Sequence, residues 1–458
     1  MSEDIAPFVS RAFAGISGLL FMLCGCSAAP GNTAYDKPEG LGSATGAGGS
    51  AGATMAGPAG AGGTLGGAGA SGAAGAVGSG GAGASAGGAP SAGAPNAGAP
   101  GGGASSGSGG SAGSGGSGGG INLPPKPTSP TASWVYTSGY QLMVGKRAAD
   151  GSLGAPAAFR LKGVSWSPAG IGESNSQGYM KLYTSHGGTD IPLIVGLHAN
   201  TVKTYDPFER TAQGTALLDQ LYASGVMVIM NVMASHNTAQ SDCISTVSYF
   251  KNHPGILGWM VGNEFNYNNL YGAANFDAAV SIVKSTITAI HAADPDHPVL
   301  LSHGEVPTSD TYGRIPEADI WALNLYPSLD LSSRFSAWAA LSKKPMMVGE
   351  YGADAFNNSS NAEDQASQAT ATSTLTMQII QHYSAASADS SHPVLGGTIY
   401  SLSDEWWKEG NNSAHDNGGI ANAIYPDNFA NEEWWGLTTV QRTPRTAYNT
   451  LATLYAAN

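Results

Sequence analysis

The chain has 458 residues, a formal net charge of −13 and an isoelectric point near 5.1. Binding nucleic acid needs a basic face for the phosphates, so this acidity argues against a nucleic-acid partner and against a polyanionic substrate. A neutral polymer such as a polysaccharide is compatible with it. The three cysteines are Cys24, Cys26 and Cys243. Two of them fall in the N-terminal leader, so Cys243 is alone in the folded part and no internal disulfide is expected.

Taken in order, residues 1–26 read as a lipoprotein-type signal peptide. The apolar run from Ala12 to Gly25 follows Arg11 and is about half a membrane span. Leu23-Cys24-Gly25-Cys26 resembles a bacterial lipobox. That resemblance implies lipidation at Cys26, with Ser27 favouring the outer membrane or cell surface. Glu3 and Asp4 are a departure, because they dilute the positive charge such leaders carry. Residues 27–130 read as a disordered low-complexity linker. From Leu41 to Gly120 there is no charged and no aromatic residue, and the segment is almost all Gly, Ala and Ser with scattered Pro. Such a segment cannot bury enough apolar area to offset the entropy of ordering, and it acts as a flexible tether. Its G-x-G-x-x-G matches have no strand before them and no helix after them, and carry no meaning.

Residues 131–458 read as one α/β domain. A β-hairpin is expected within Trp134–Leu161, with YQLMVGK and AAFRLKGV flanking a turn at Asp150-Gly151. Strand patterns then follow at Phe159–Ser165, Asn200–Tyr205, Val226–Met233, Ile256–Gly262, Val299–His303, Ile320–Leu325, Met346–Glu350 and Gly396–Leu402. Helical stretches lie between them, clearest at Thr211–Ala223, Ala273–Ala293 and Ala362–Ser387. Uninterrupted apolar strands alternating with helices predict a (β/α)8 TIM barrel. A doubly wound sheet is the competing architecture, but LKGVSWSPAG lacks the Gly-rich turn that sheet usually carries after its first strand.

In a barrel, chemistry sits at the C-terminal ends of the strands. The first strand ends at Trp166, the second at Lys203 and Tyr205, and the third near Asn231 and His236. The fourth ends in Asn263-Glu264, the fifth in His303 with Glu305 beyond, and the sixth in Asn324 and Tyr326. The seventh ends in Glu350-Tyr351, and the eighth runs into Ser403-Asp404-Glu405-Trp406-Trp407. A carboxylate at the tip of a buried strand is costly to bury unpaired, so Glu264 and Glu350 are expected to face a cleft.

GNEF after the fourth strand and GEYG after the seventh resemble the signature of the clan A glycoside hydrolases. LKGVSW, NTVKTYDP, GILGWMVGNEF and MMVGEYGADAF are similar to the fungal β-1,3-glucanosyltransferase family and to β-galactosidase-like catalytic barrels. SDEWWK, HDNGG and EEWWGL resemble bacterial relatives of the same group. The resemblance covers about Tyr140 to Tyr455. It implies Glu264 as acid/base and Glu350 as nucleophile of a retaining glycoside hydrolase or transglycosylase acting on a β-linked polysaccharide or oligosaccharide. It further implies that Asn263 hydrogen-bonds the sugar 2-OH and that Tyr326 donates to Glu350. By the same resemblance Trp406 or Trp407 is expected to form an apolar platform under a sugar ring. Lys203 stands where the clan often has Arg, with the charge but not the forked geometry. Tyr205 and His303 complete the expected substrate-binding set.

Other readings attach to the same residues. Asp354 and Glu305 are most simply solvated rim charges. Asp404 and Glu405 either orient the following tryptophans and bind sugar hydroxyls, or sit on a surface loop. Trp134, Trp259 and Trp338 read as core, and Cys243 as part of an ordinary amphipathic helix. His236 and His415 lack a metal-ligand spacing, so no metal and no cofactor are expected. No G-x-S-x-G elbow points to an esterase. A monomer is expected. The alternatives are an inactive carbohydrate-binding surface lipoprotein on the same scaffold and a metal-dependent hydrolase acting on another polymer.

Overall fold

A computed structural model describes residues 124–233, 238–267, 273–421 and 424–458. The expected leader, Cys24, Cys26, nearly all of the expected linker, and His236 lie outside these residues. The first elements are strands β1 (Trp134–Ser138), β2 (Gln141–Gly145) and β3 (Ala157–Ala158). β2 pairs antiparallel with both neighbours. The expected pairing across the Asp150-Gly151 segment is present as β2 with β3, and a further hairpin, turning at Gly139-Tyr140, adds β1. Gly139 has φ +56°, and a Cβ there would lie 1.9 Å from the Ser387 carbonyl oxygen. Only glycine fits such a position. The Asp150-Gly151 turn precedes the two-residue β3, and the rest of the expected second strand joins the barrel.

The barrel strands are β4 (Leu161–Trp166), β5 (Thr201–Thr204), β6 (Met227–Met233), β7 (Ile256–Val261), β8 (Val299–Gly304), β9 (Ile320–Asn324) and β10 (Met346–Tyr351). Two short strands, β11 (Phe356–Asn357) and β12 (Ala362–Glu363), form a small hairpin before β13 (Val394–Ile399) closes the barrel between β10 and β4. All barrel pairings are parallel. The connecting helices are α1 (Met180–Gly196), α2 (Ala212–Ala223), α3 (Gln240–Phe250), α4 (Phe276–Ala293), α5 (Ser309–Arg314), α6 (Ser332–Leu341) and α7 (Gln365–Gln381). Beyond β13 lie a loop hairpin of β14 (Gly419–Ala421) and β15 (Phe429–Asn431), then α8 (Thr446–Ala457).

Every residue of β6, β7, β8, β9, β10 and β13 is buried, which is why these runs are apolar without alternation. One side of the wall packs on the helices. On α4, Ala279, Val280, Val283, Ile287 and Ile290 recur at helical spacing and face this core with Trp259 and Trp321. Asn275 caps that helix by accepting from the Ala278 amide. Cys243 lies buried on α3 among the same residues. The other side fills the barrel. Leu161, Met227, Leu257, Leu300 and Ile320, all near strand starts, cluster with Val135, Leu142 and Val144 of the hairpin. The hairpin thus closes the N-terminal mouth and leaves the opposite end for polar side chains.

Candidate active site

At the C-terminal mouth, β7 ends in a sharp change of direction. Gly262 has φ +92° and Glu264 φ +55°. A left-handed backbone at a residue with a Cβ costs roughly 1–2 kcal/mol. Side-chain placement at functional sites is where such strain is retained. Asn231 on β6 steadies the bend, donating from Nδ2 to the Gly262 carbonyl at 2.8 Å. Asn263 and Glu264 are both buried.

Glu350, on β10, receives three hydrogen bonds. Lys203 Nζ and the Tyr205 hydroxyl both donate to Oε1 at 2.6 Å, and the Tyr326 hydroxyl donates to Oε2 at 2.9 Å. Burial alone pushes this carboxyl up. The Lys203 charge and the three donors outweigh burial and leave it below the usual carboxylate range. Lys203 is itself 1 % exposed and lies 4.5 Å from the Tyr205 ring centroid. The structure therefore brings Lys203, Tyr205, Tyr326 and Glu350 into one hydrogen-bonded unit. Gly349, one residue before Glu350, makes room for the side chain of Asn324 on β9: a Cβ there would stand 2.7 Å from Asn324 Oδ1.

Glu264 is shifted the other way, up to about 8. Burial is the main cause, and repulsion from Glu350 adds to it. Asn324 and Lys203 oppose the shift, and Glu432 contributes to it. Two buried carboxyls that feel each other, one held ionised and one held protonated, make an acid and a nucleophile at one pH.

The loop after β13 covers the mouth. The Tyr400 hydroxyl donates to Glu405 Oε2 at 2.6 Å. Lys408 Nζ bridges Glu405 Oε2 at 3.4 Å and Glu432 Oε2 at 3.1 Å. Trp407 packs edge-on to Tyr179, 6.3 Å between centroids, and Tyr179 packs on Tyr205 at 6.2 Å. Trp407 is thus joined to the Glu350 cluster through rings. Trp406 instead stacks on His415, which stacks on Trp434. His303 is buried, its ring against Phe265 and Trp321 and its Nδ1 2.9 Å from the Glu305 carbonyl.

Several side readings need correction. Asp354 is not a solvated rim charge: it is 1 % exposed, and burial pushes its carboxyl up to about 8. Glu305 is half-buried and paired with Arg334 at 3.2 Å. Asp404 and Glu405 are not on a surface loop, since both are buried and Asp404 takes two 2.7 Å bonds from Arg445. Trp134, Trp259 and Trp338 are core, as expected. Lys408, Tyr179 and Glu432 were not singled out from the sequence. For Lys408 and Glu432 the signal was a cluster of aromatic and acidic residues past the last strand, whereas Tyr179, just before α1, carried none.

A closed parallel barrel with two coupled glutamates at its C-terminal mouth defines a barrel of the glycoside hydrolase type. Residues 225–457, just over half of the chain, match the glycosyl hydrolases family 2 TIM barrel domain, and the chain belongs to that family. The beta-glucuronidase of Rattus norvegicus is 28% identical over 190 residues, covering 37% of this chain and 28% of the relative. That of Homo sapiens is 26% identical over 187 residues, covering 36% and 27%. The matched region is thus less than a third of either relative. Among solved structures, a GH2 beta-galacturonidase from Eisenbergiella tayi superposes with a TM-score of 0.50 at 16% identity, over 71% of this chain and 54% of that one. A beta-D-glucuronidase from Dictyoglomus thermophilum gives 0.50 at 17% identity over the same shares. Identities this low show the shared fold. The match to family 2 agrees with the clan A resemblance in the motifs; nothing in it bears on the glucanosyltransferase likeness.

Proposed function

We propose that the barrel is a retaining glycoside hydrolase acting on β-linked glycosides by double displacement. The observation that carries this reading is the opposed polarisation of two buried glutamates, Glu350 held anionic by Lys203, Tyr205 and Tyr326, and Glu264 held protonated by burial beside it. Retaining enzymes hold such a pair about 5–5.5 Å apart. In the first step a Glu350 oxygen attacks the anomeric carbon while Glu264 gives its proton to the departing glycosidic oxygen. A covalent glycosyl-enzyme forms and the leaving alcohol departs neutral. In the second step Glu264, now a carboxylate, takes a proton from water as that oxygen attacks the same carbon and expels Glu350. Two inversions retain the β configuration. If a sugar hydroxyl takes the place of water, the same intermediate gives glycosyl transfer. In this reading Asn263 hydrogen-bonds the sugar 2-OH, and Trp407, joined to the Glu350 cluster through Tyr179 and Tyr205, rather than Trp406, lies under the sugar's apolar face.

The test is Glu350→Ala assayed on aryl β-glycosides and on neutral β-glucan, mannan and galactan oligosaccharides, with and without azide. Activity is expected to vanish and to return with azide as a glycosyl azide of inverted configuration. Unchanged turnover in the variant removes Glu350 from the mechanism, and no turnover of any of these substrates by the unmodified protein leaves the binding-protein alternative. Products longer than the substrate, formed by the unmodified protein, mark transfer.

We also propose that the chain is exported and anchored by lipid on Cys26, the tether letting a membrane-held barrel reach polymeric glycan. The lipobox-like run supports this reading. Cys26→Ala is expected to abolish labelling by a fatty-acid analogue and release the protein from the membrane fraction. Continued labelling would locate the anchor elsewhere or discard it.

A further inference from the structure

We propose that the subsite built by Glu405, Lys408 and Glu432 takes an uncharged sugar, with a hydroxyl donating to Glu432 Oε1, and rejects uronic acids; this rests on the glycosidase reading above. The subsite is continuous with the catalytic pair. Tyr205, bonded to Glu350, packs edge-on to Tyr400 at 6.1 Å. The Tyr400 hydroxyl bonds Glu405, and Lys408 Nζ lies 4.5 Å from the Tyr400 ring centroid while bonding Glu405 and Glu432. Glu432 closes the ring, near enough to Glu264 to repel it.

Charge decides what fits. With Glu264 protonated, the mouth sets the carboxylates of Glu350, Glu405 and Glu432 against the ammonium groups of Lys203 and Lys408, an excess of one negative charge. Each lysine is already committed, Lys203 to Glu350 and Lys408 to two carboxylates. The nearby arginines are committed as well, Arg445 to Asp404 and Glu363, and Arg442 to Asp190. A sugar carboxylate would enter a site already in negative excess, where Lys203, Lys408, Arg442 and Arg445, among the described residues, are each bound to a carboxylate already. Rejection by an uncompensated like charge is a strong specificity device.

A second observation, independent of the charge count, points to a ligand. Glu432 is 7 % exposed, and its Oε1 is buried with no hydrogen-bond partner among the described residues. An unsatisfied buried carboxylate oxygen costs free energy that a donated hydrogen bond recovers. The indole nitrogens of Trp407 and Trp435, whose rings pack on Tyr179 and on Tyr326 and Tyr400, also have no partner among the described residues. An acceptor and neutral donors suit sugar hydroxyls, which do both.

The test compares 4-nitrophenyl β-glucoside, β-galactoside, β-mannoside and β-xyloside with the β-glucuronide and β-galacturonide, alongside neutral β-oligosaccharides and β-linked oligoglucuronates. At least one neutral substrate is expected to exceed its uronide by about 100-fold in kcat/KM. Uronides cleaved as well or better overturn this inference and leave the glycosidase reading standing. Cleavage of nothing, with no glycosyl adduct on Glu350 by mass spectrometry, overturns both. Glu432→Gln, checked for folding by its melting curve, is expected to raise KM on the best neutral substrate and narrow the neutral-to-uronide ratio by about 10-fold. An unchanged ratio in a folded variant removes Glu432 from recognition. If that variant does not fold, the unmodified protein's panel alone decides.

Discussion

At the residue scale the Glu350 cluster makes a definite demand on pH. Its carboxyl sits low because Lys203, Tyr205 and Tyr326 favour the charged form against burial. Removing one donor must therefore raise it. Tyr326→Phe deletes the 2.9 Å bond to Oε2 and leaves the ring to pack on Trp435. A hydrogen bond to a charged group is worth about 1.5–3 kcal/mol net. The acid limb of kcat/KM, where activity appears as Glu350 ionises, is expected to move to higher pH, with about 10- to 100-fold lost at the optimum. The basic limb belongs to Glu264, which must be protonated to act, so activity falls as pH rises through about 8 in both proteins. A pH–rate profile of the two proteins checks this, and an unmoved acid limb would mean that Tyr326 does not tune Glu350. Lys203 serves the same purpose with an ammonium where a forked guanidinium is the commoner choice. Tyr205 supplies a second bond to the Oε1 it holds.

At the element scale the loop after β13 is the part that local sequence describes least well. The strands were legible because burial on both faces writes an unbroken apolar run, and a Gly-Asn-Glu or Gly-Glu-Tyr at its end has no reason to be there unless it faces a cleft. Glu264 and Glu350 stand out for that reason. Lys408 and Glu432 do not, since they meet only when a loop with no periodicity folds over the mouth. Asp354 and Asp404 misled for the same reason: neighbouring residues say nothing about what the distant chain lays on top of them. Asp404 shows how that loop is fixed. Arg445, just before α8, grips both of its oxygens at 2.7 Å, reaches Glu363 at 2.7 Å, and donates to the Gly436 carbonyl. Removing one partner of a buried pair leaves an uncompensated charge and costs about 3–5 kcal/mol. Arg445→Met is expected to lose that much in a denaturant titration. The double variant Arg445→Met with Asp404→Leu should recover much of it, because the stranded charge is then gone. No recovery would mean that the loop is held by its packing, including the Trp406–His415–Trp434 stack.

At the scale of the whole molecule, stability and chemistry occupy opposite ends of the barrel. The N-terminal mouth is plugged by apolar side chains of the hairpin, with Leu142 at 3 % exposure among Leu161, Met227, Leu257, Leu300 and Ile320. The polar groups concentrate at the other mouth, where Glu264, Asp354 and Glu432 are all buried at a cost to their charged forms. The hairpin offsets part of that cost, and it shares no hydrogen bond with the Glu350 cluster among those described. Leu142→Ala is therefore expected to lower unfolding free energy by about 2–5 kcal/mol, the range for a buried leucine whose cavity only partly collapses. Because Glu264 and Glu350, the proposed catalytic pair, lie on the far side of the packed barrel interior, kcat/KM and its pH profile should stay as they are at temperatures where the variant is folded. Denaturant unfolding beside a rate profile separates the two effects. A variant that keeps its stability would show that the barrel closes without the hairpin, and one that loses activity while folded would show that the plug reaches the site through the strands.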